Sequence, residues 1–150
     1  MTTFASPSDL AECVGMHLGY SEWLEITQER ISAFAGATDD HQWIHFDPER
    51  ARTGPFGTTI AHGYLTLSLA VRFVDEIFTV EGVAMGVNYG TNRVRFVSPV
   101  PVGSRLRAGG TLAAVEEVPG GYQVTLDLTF EVEGAEKPAC VAQVLYRLYV

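Results

Sequence analysis

An acid and an imidazole lie five residues apart in the first third of the chain, Asp40 and His45. The carboxylate accepts hydrogen bonds and the imidazole either donates or accepts near neutral pH, so the two can hold a water molecule and exchange a proton with it. Taken singly, Asp40 would more often close an Asx turn, and His45 would more often be a half-buried structural residue. Their close spacing favours a shared role in acid–base chemistry.

A second candidate pair, His62 and Gly63, stands where the longest helical pattern of the chain begins. A glycine at the start of a helix presents its backbone N–H with no side chain in the way, and such an N–H can stabilise negative charge on a substrate oxygen. Gly63 could equally be no more than a helix start. For His62 the favoured interpretation is a hydrogen bond to backbone at the helix start, with direct substrate contact as the alternative.

His41 and His45 are four residues apart, which is a metal-ligand spacing if the segment is helical. The surrounding residues are rich in turn formers, however, and the glutamate pattern that accompanies such histidines in zinc enzymes is missing. We therefore predict no metal site.

The segment that carries Asp40 and His45 is predicted to be a loop between two helices. Thr27 can cap a short helix upstream, and Gly36 offers a place for that helix to end. Downstream, Asp47-Pro48 has the pattern of an N-cap followed by proline at the first helical position. We therefore expect residues 37–46 to form a loop that is held at both ends.

A long, largely apolar helix is predicted from Gly63 to about Phe78, wrapped on most sides by strands. The predicted strands are 82–89, 91–98, 104–117, 121–133 and 138–149, and Gly90 is either a bulge or a break between the first two. Ser6 to Asp9 predicts the start of a peripheral helix, and Tyr20 to Ile26 a short strand. Together these patterns predict an α+β domain, with a curved antiparallel sheet around a central helix.

The composition indicates one globular domain: 150 residues, 47% hydrophobic, with a formal net charge of −8. This charge argues against a nucleic-acid partner. Cys13 and Cys140 are expected to be reduced thiols, as in a cytoplasmic protein, and we expect neither a secretory signal nor a membrane span. Six arginines could contact an anionic ligand or be solvated strand-edge charges, and the sequence leaves both open: Arg50, Arg52, Arg93, Arg95, Arg105 and Arg107.

The stretch Phe34 to Ala51, FAGATDDHQWIHFDPERA, resembles the signature of the MaoC-like, or hydratase 2, branch of the hot-dog-fold enzymes. That signature has an aromatic residue, small residues, Gly-Asp, one residue, Asn-Pro, an aliphatic residue and His, often followed by Asp-Pro and an alanine. Asp40 matches the catalytic aspartate and His45 the catalytic histidine, with Ile44 at the aliphatic position. The resemblance extends to AHGYLTLSL and VRFVSPVPVGSRLR further along the chain.

Three positions depart from the signature: Asp39 stands at the usual glycine, and Gln42-Trp43 at the usual Asn-Pro. The resemblance implies that Gly63 donates its N–H to the substrate's thioester oxygen, because His62-Gly63 matches the family's helix start. Gln42 keeps an amide side chain in the loop, so it is a candidate to orient the loop or a bound water.

The resemblance implies a single hot-dog domain over residues 1–150 and an (R)-specific enoyl-CoA hydratase that needs no cofactor. It also implies a homodimer paired through its sheets. An acyl-CoA is favoured over an acyl-carrier-protein substrate, because an acidic protein repels an acidic carrier. Two alternatives remain open: a hot-dog thioesterase, and a non-catalytic subunit that binds acyl thioesters or a partner.

Overall fold

The computed structural model describes residues 1–150, and its main feature is a large antiparallel sheet curved around two consecutive helices. The helices are α1 Pro7–Ala11, α2 Gln28–Thr38, α3 Trp43–Phe46, α4 Pro48–Arg52, α5 Gly63–Ser68 and α6 Ala70–Ile77. The strands are β1 Thr2–Phe4, β2 His17–Tyr20, β3 Leu24–Glu25, β4 Phe78–Val80, β5 Met85–Phe96, β6 Arg105–Val118, β7 Gly121–Val132 and β8 Cys140–Tyr149. The large sheet has the order β2-β6-β7-β8-β5 with β3 also on β6, and β1 and β4 form a separate parallel pair.

Strands β6, β7 and β8 form the middle of the sheet, and their apolar residues alternate as the sequence predicts. Along β7, Val124, Leu126, Leu128 and Phe130 are all buried. At the turn before β7, Gly120 has a φ of +82°, a left-handed conformation that glycine adopts without a steric penalty. The predicted segments 104–117, 121–133 and 138–149 are therefore confirmed to within a few residues.

The predicted helix from Gly63 to about Phe78 is in fact two helices, because the chain tightens at Leu69. The Leu69 N–H donates to the carbonyls of both Leu65 and Thr66, and α6 begins at the next residue. Phe78 already belongs to β4.

Helix α6 is buried through Ala70, Phe73, Val74 and Ile77, and the Phe73 ring lies 6.1 Å from that of Phe130 in the sheet. The helix pair is not wrapped on most sides, however. Tyr64 is 68% exposed and Val71 is 43% exposed. One side of the central helices therefore remains open to solvent in the single chain.

Strand β5 forms one outer edge of the sheet and is exposed over nearly its whole length. It covers most of the predicted segments 82–89 and 91–98, so of the two alternatives at Gly90 the continuous strand is the one observed. Shifts in its register against β8 occur at Asn88/Gly90 and Thr91/Arg93, so Gly90 is part of a bulge and does not break the strand. Such bulges bend a strand while the pairing on either side continues.

The structure also tests the smaller predictions for the N-terminal half of the chain and for the two cysteines. Helix α1 begins as expected, because the Ser6 hydroxyl accepts a hydrogen bond from the Asp9 N–H. The single strand predicted over Tyr20 to Ile26 is wrong: β2 and β3 pair separately with β6. Between the two strands, the Ser21 N–H donates to the Ala108 carbonyl, and the Ser21 hydroxyl accepts from the Ala108 N–H.

Cys13 and Cys140 are free thiols, as predicted, and burial raises the pKa of Cys140 to about 11. Not one helix has the length and apolar character needed to cross a membrane.

Candidate active site

Helix α2 ends just before Asp40, at a residue whose backbone has a left-handed conformation. The helix does not end at Gly36 as predicted but continues to Thr38, whose hydroxyl donates to the Phe34 carbonyl over 2.8 Å. It ends at Asp39, which has a φ of +59°. Glycine and, less readily, aspartate or asparagine adopt this conformation, which explains why a glycine is usual here in the sequence signature.

The predicted loop over residues 37–46 is shorter than expected, because only residues 39–42 lie between helices. Trp43–Phe46 form the short helix α3, which places His45 on a helix. Helix α4 begins as predicted, with the Asp47 carboxylate accepting from the Arg50 N–H and Pro48 at the first helical position. His41 precedes α3, so His41 and His45 do not share a helix face as two metal ligands would.

The ring of His45 is buried and its tautomer is fixed by the chain at Ile60. Only 6% of the residue is exposed, and Nδ1 lies 2.8 Å from the Ile60 carbonyl oxygen. Because a carbonyl only accepts, Nδ1 carries the proton and Nε2 keeps a lone pair. The chain of bonds continues behind it: Gln28 Nε2 donates to the His45 carbonyl over 2.8 Å, and the Thr59 hydroxyl donates to Gln28 Oε1 over 2.7 Å.

His62 lies directly against His45. The two rings stack with centroids 3.8 Å apart and planes 25° apart, and the Phe34 ring lies 4.9 Å from His62. His62 is 2% exposed, and its Nε2 donates to the main-chain carbonyl of Asp40 over 3.0 Å, while its Nδ1 is buried without a hydrogen-bond partner. Burial lowers the pKa of His62 below its ordinary 6.5; the bond to Asp40 opposes this change, and nearby His45 adds to it.

The Asp40 side chain is half exposed and faces both imidazoles. Its carboxylate lies 4.0 Å from His62 Nε2, and it accepts a long bond of 3.4 Å from the Gln42 N–H. One carboxylate oxygen and one nitrogen from each ring all lie within 4.8 Å of one another. Two hydrogen bonds of ~2.8 Å that meet at one water join atoms roughly 4.6 Å apart, so groups within 4.8 Å of one another are close enough to share a bridging water.

Gly63 opens helix α5 beside these groups, and its lack of a side chain is required by packing. A Cβ at this position would lie 2.8 Å from ring atoms of Phe96 on strand β5. The N–H groups of a first helical turn have no acceptor within the helix, so they remain available to a ligand. Next to Gly63 is a cavity of about 260 Å³, whose lining includes Thr66, Phe96 and Phe56.

Comparison with known proteins identifies the family of the chain. The family described as "MaoC like domain" matches residues 9–132. The 3-hydroxyacyl-thioester dehydratase Z of Mycobacterium tuberculosis is 55% identical over 148 residues, which cover 98% of each chain. The chain belongs to the MaoC-like family.

One further relative of this MaoC-like protein and one solved structure of similar fold extend the comparison. Nodulation protein N of Rhizobium leguminosarum is 45% identical over 141 residues, covering 91% of this chain and 87% of its own. The R-hydratase of Pseudomonas aeruginosa has a TM-score of 0.77 at 21% identity, covering 97% of this chain and 86% of its own. The predicted α+β hot-dog fold is confirmed.

In this MaoC-like protein, Asp40, His45 and His62 are also the groups that could hold a metal ion, since their donor atoms lie within 4.8 Å of one another. The hydrogen bond from His62 to the Asp40 carbonyl opposes such binding. Ligation through His62 Nε2 would transfer its proton to Nδ1, which is buried without an acceptor. The three groups therefore fit a metal poorly.

The structure brings together Asp40, His45, His62 and Gly63, while the Gln42 side chain is exposed and does not cap α3. Sequence reasoning missed Gln28 and Thr59, which hold His45 from behind. A partly buried polar pair 31 residues apart along the chain leaves no local pattern from which to predict it.

Most of the arginines of the MaoC-like protein are engaged with other groups. Arg93 pairs with Asp127, Arg105 with Glu133 and Arg107 with Glu131, at 3.2, 3.0 and 2.9 Å. Arg50 lies over the Trp43 ring, with its guanidinium carbon 4.4 Å from the ring centroid. For these residues the structural interpretation is favoured over phosphate binding.

Proposed function

We propose that the protein is an (R)-specific enoyl-CoA hydratase, a hydro-lyase that reversibly adds water to trans-2-enoyl thioesters to give (R)-3-hydroxyacyl thioesters. The observation that carries this proposal is that the half-exposed Asp40 carboxylate and the buried His45 ring place donor and acceptor atoms within 4.8 Å of each other, close enough to share one water. The 55% identity to a protein named 3-hydroxyacyl-thioester dehydratase supports it, since dehydration is the reverse of the same reaction.

The roles of Asp40 and His45 follow from their environments. A water held between them loses a proton to the Asp40 carboxylate as its oxygen attacks C3 of the enoyl group. That same proton then passes from Asp40 through His45 Nε2 to C2, so one water is added in total and both groups return to their starting state. The Ile60 carbonyl holds Nδ1–H of His45, which leaves Nε2 as the ring atom that exchanges protons with water or substrate.

Negative charge collects on the thioester oxygen while C3 is attacked, and the Gly63 N–H is the proposed donor for it. The donor is a backbone group in a fixed helix turn, so it does not reorganise during the reaction. The thioester itself delocalises the charge from C2, and therefore the chemistry needs neither a metal nor an organic cofactor. Gln42, exposed beside Asp40, remains a candidate for contact with the bound substrate.

We also propose that two copies of the chain pair through strand β5. Edge strands that stay long, exposed and apolar invite pairing with another strand. The exposed apolar residues of this edge include Met85, Val87, Tyr89 and Phe96, and they continue onto the open side of the central helices at Tyr64 and Val71. A second copy of the chain would cover this surface. As part of the same proposal, the dimer is cytoplasmic and acts on coenzyme A thioesters.

The activity is tested by mixing the purified protein with crotonyl-CoA and following loss of the conjugated enoyl-thioester absorbance. Chiral analysis of the product and a free-thiol assay are run on the same samples. Conversion to (R)-3-hydroxybutyryl-CoA without thiol release supports the proposal. Release of free coenzyme A would indicate a thioesterase instead, and no change with short or long acyl chains would indicate a non-catalytic subunit.

The dimer is tested by light scattering on wild type and Val87→Lys at several concentrations. We expect a dimer for wild type and a shift toward monomer for the variant, because two-fold symmetry doubles each introduced charge. Glu136→Lys, in the exposed turn before β8, is the control and should leave the mass unchanged. A wild-type protein that stays monomeric at high concentration would refute the proposed pairing.

A further inference from the structure

His62 contacts both proposed catalytic groups but is too buried to meet the substrate freely. Its Nε2 lies 3.0 Å from the Asp40 carbonyl, and its ring lies 3.8 Å from that of His45. Phe34 covers part of the same ring. With 2% of the residue exposed, its position suits support of the site and not contact with an acyl chain.

The surroundings of His62 define its protonation state. The Asp40 carbonyl accepts from Nε2, so the proton is on that nitrogen and Nδ1 holds the lone pair. A cationic His62 would place a second N–H at Nδ1, where no acceptor is present. Three titratable groups face the ring: His45 and His41 disfavour a positive charge on it, and Asp40 favours one; burial outweighs the latter, so the pKa of His62 is lowered.

We propose that His62 is a positioning residue of the hydratase: a neutral imidazole whose Nε2–H fixes the main chain at Asp40 and whose ring face fixes the plane of His45. One side chain thus sets the distance between the two groups that share the reacting water. This inference rests on the proposed hydratase activity.

The neutral state of His62 is also needed for His45 to act. His45 must accept and return a proton during turnover, and a cation in a ring stacked 3.8 Å away would oppose every protonated state of His45. Loss of the hydrogen bond to Asp40 would let the carboxylate move relative to His45. Both effects act on the chemical step, so kcat should change more than KM.

Two substitutions separate positioning from simple filling of space. His62→Phe keeps a flat apolar ring against His45 but removes the N–H, whereas His62→Gln places an amide N–H near the position of Nε2. We expect His62→Phe to lower kcat about 10–100-fold with KM changed less than about 3-fold, because small misplacements of reacting groups are costly. His62→Gln should recover part of that loss, although Phe is the better filler for a buried apolar space.

The relative activities of His62→Phe and His62→Gln decide between positioning and simple filling of space. If His62→Phe is as active as wild type, or more active than His62→Gln, His62 only fills space and the positioning role is refuted. His17→Gln, at an exposed position of strand β2, serves as the control and should keep wild-type kinetics. A wild type that hydrates no enoyl thioester contradicts the proposed function itself, an outcome distinct from an active wild type with an active His62→Phe.

Nitrogen-15 NMR of the imidazoles gives a second readout that does not depend on activity. Loss of a resonance pair in His62→Gln assigns His62. We expect it to show the Nε2–H tautomer and to become protonated at a lower pH than an ordinary histidine. Protonation of His62 at its ordinary pH, or the Nδ1–H tautomer, would overturn the inference.

Discussion

The two ends of the central helix pair are built from different chemistry on the same scaffold. At the start of α5, the buried groups are the stacked imidazoles of His62 and His45, with Asp40 at the surface. Along α6, the buried groups are apolar, and Phe73 packs on Phe130 of the sheet. Buried polar groups with an unpartnered atom cost stability, whereas buried aromatic rings supply it. In the proposed hydratase the first end serves the reaction, and the second end stabilises the domain.

The strongest effect on activity is expected at the polar end, from His45→Gln. This change removes the ring nitrogen that exchanges protons but keeps an amide in the same space, so turnover should fall about 10²–10⁴-fold. Steady-state hydration of crotonyl-CoA measures it. Urea unfolding provides the check on folding, and a large loss of stability that parallels the loss of activity would argue that His45 is structural.

The matching change at the apolar end is Phe73→Ala. Removing a fully buried ring should lower the free energy of unfolding by about 3–5 kcal/mol, because transfer and cavity costs add. Below the unfolding transition, kcat per folded molecule should change little. Arg72→Ala, the exposed neighbour that pairs with Glu76, should cost only about 0.2–0.5 kcal/mol. Equal losses of unfolding free energy in Phe73→Ala and Arg72→Ala would contradict the stabilising role of the buried apolar groups along α6.

A smaller effect follows from the buried His62 as the pH falls. Its pKa is lowered in the folded protein, so below its ordinary value of 6.5 the unfolded chain binds a proton that the folded chain does not. The contribution of His62 to stability is therefore present above pH 6.5 and is lost as the pH falls through the folded pKa. Urea unfolding of wild type and His62→Gln across this range should show a shallower acid slope in the variant; identical slopes would contradict this.

The smallest effect is expected at Asp39, which lies at the polar end but acts only through its backbone. Its φ of +59° is costly for most side chains, so Asp39→Gly should change stability by less than about 1 kcal/mol, and Asp39→Ala should lower it by about 1 kcal/mol. Thermal unfolding of both variants measures the difference. Asp39→Ala as stable as Asp39→Gly would show that the left-handed conformation carries no cost.

Local sequence signals predicted the parts of the fold that local physics governs. The caps at Ser6 and Asp47 and the alternating strands β7 and β8 are where the pattern places them. The end of α2 was misjudged, because a glycine inside a helix costs only about 1 kcal/mol and neighbouring packing overrides it. Whether strand β5 is one bent strand or two stayed open, because sequence does not show whether a glycine bends a strand or ends its pairing.

The sequence named candidate residues for the site but did not predict how their side chains contact one another. Asp40 and His45 follow from their spacing and from the signature, which spans one contiguous stretch. The bond from His62 to the Asp40 carbonyl joins positions 22 residues apart. Its acceptor is a backbone carbonyl, which every residue has, so no pattern of side chains predicts this hydrogen bond. Contacts of this kind emerge only when the helix start and the loop are brought together in the fold.

The measurement that tests the central claim most directly is the hydration rate of Asp40→Asn on crotonyl-CoA beside wild type. Asparagine keeps the size of the half-exposed side chain, so folding should be unchanged, and it cannot accept the proton from water. We predict a fall in kcat of about 10²–10⁴-fold with an unaltered free energy of unfolding. A folded Asp40→Asn that hydrates crotonyl-CoA at the wild-type rate would show that the water between Asp40 and His45 is not the reacting one.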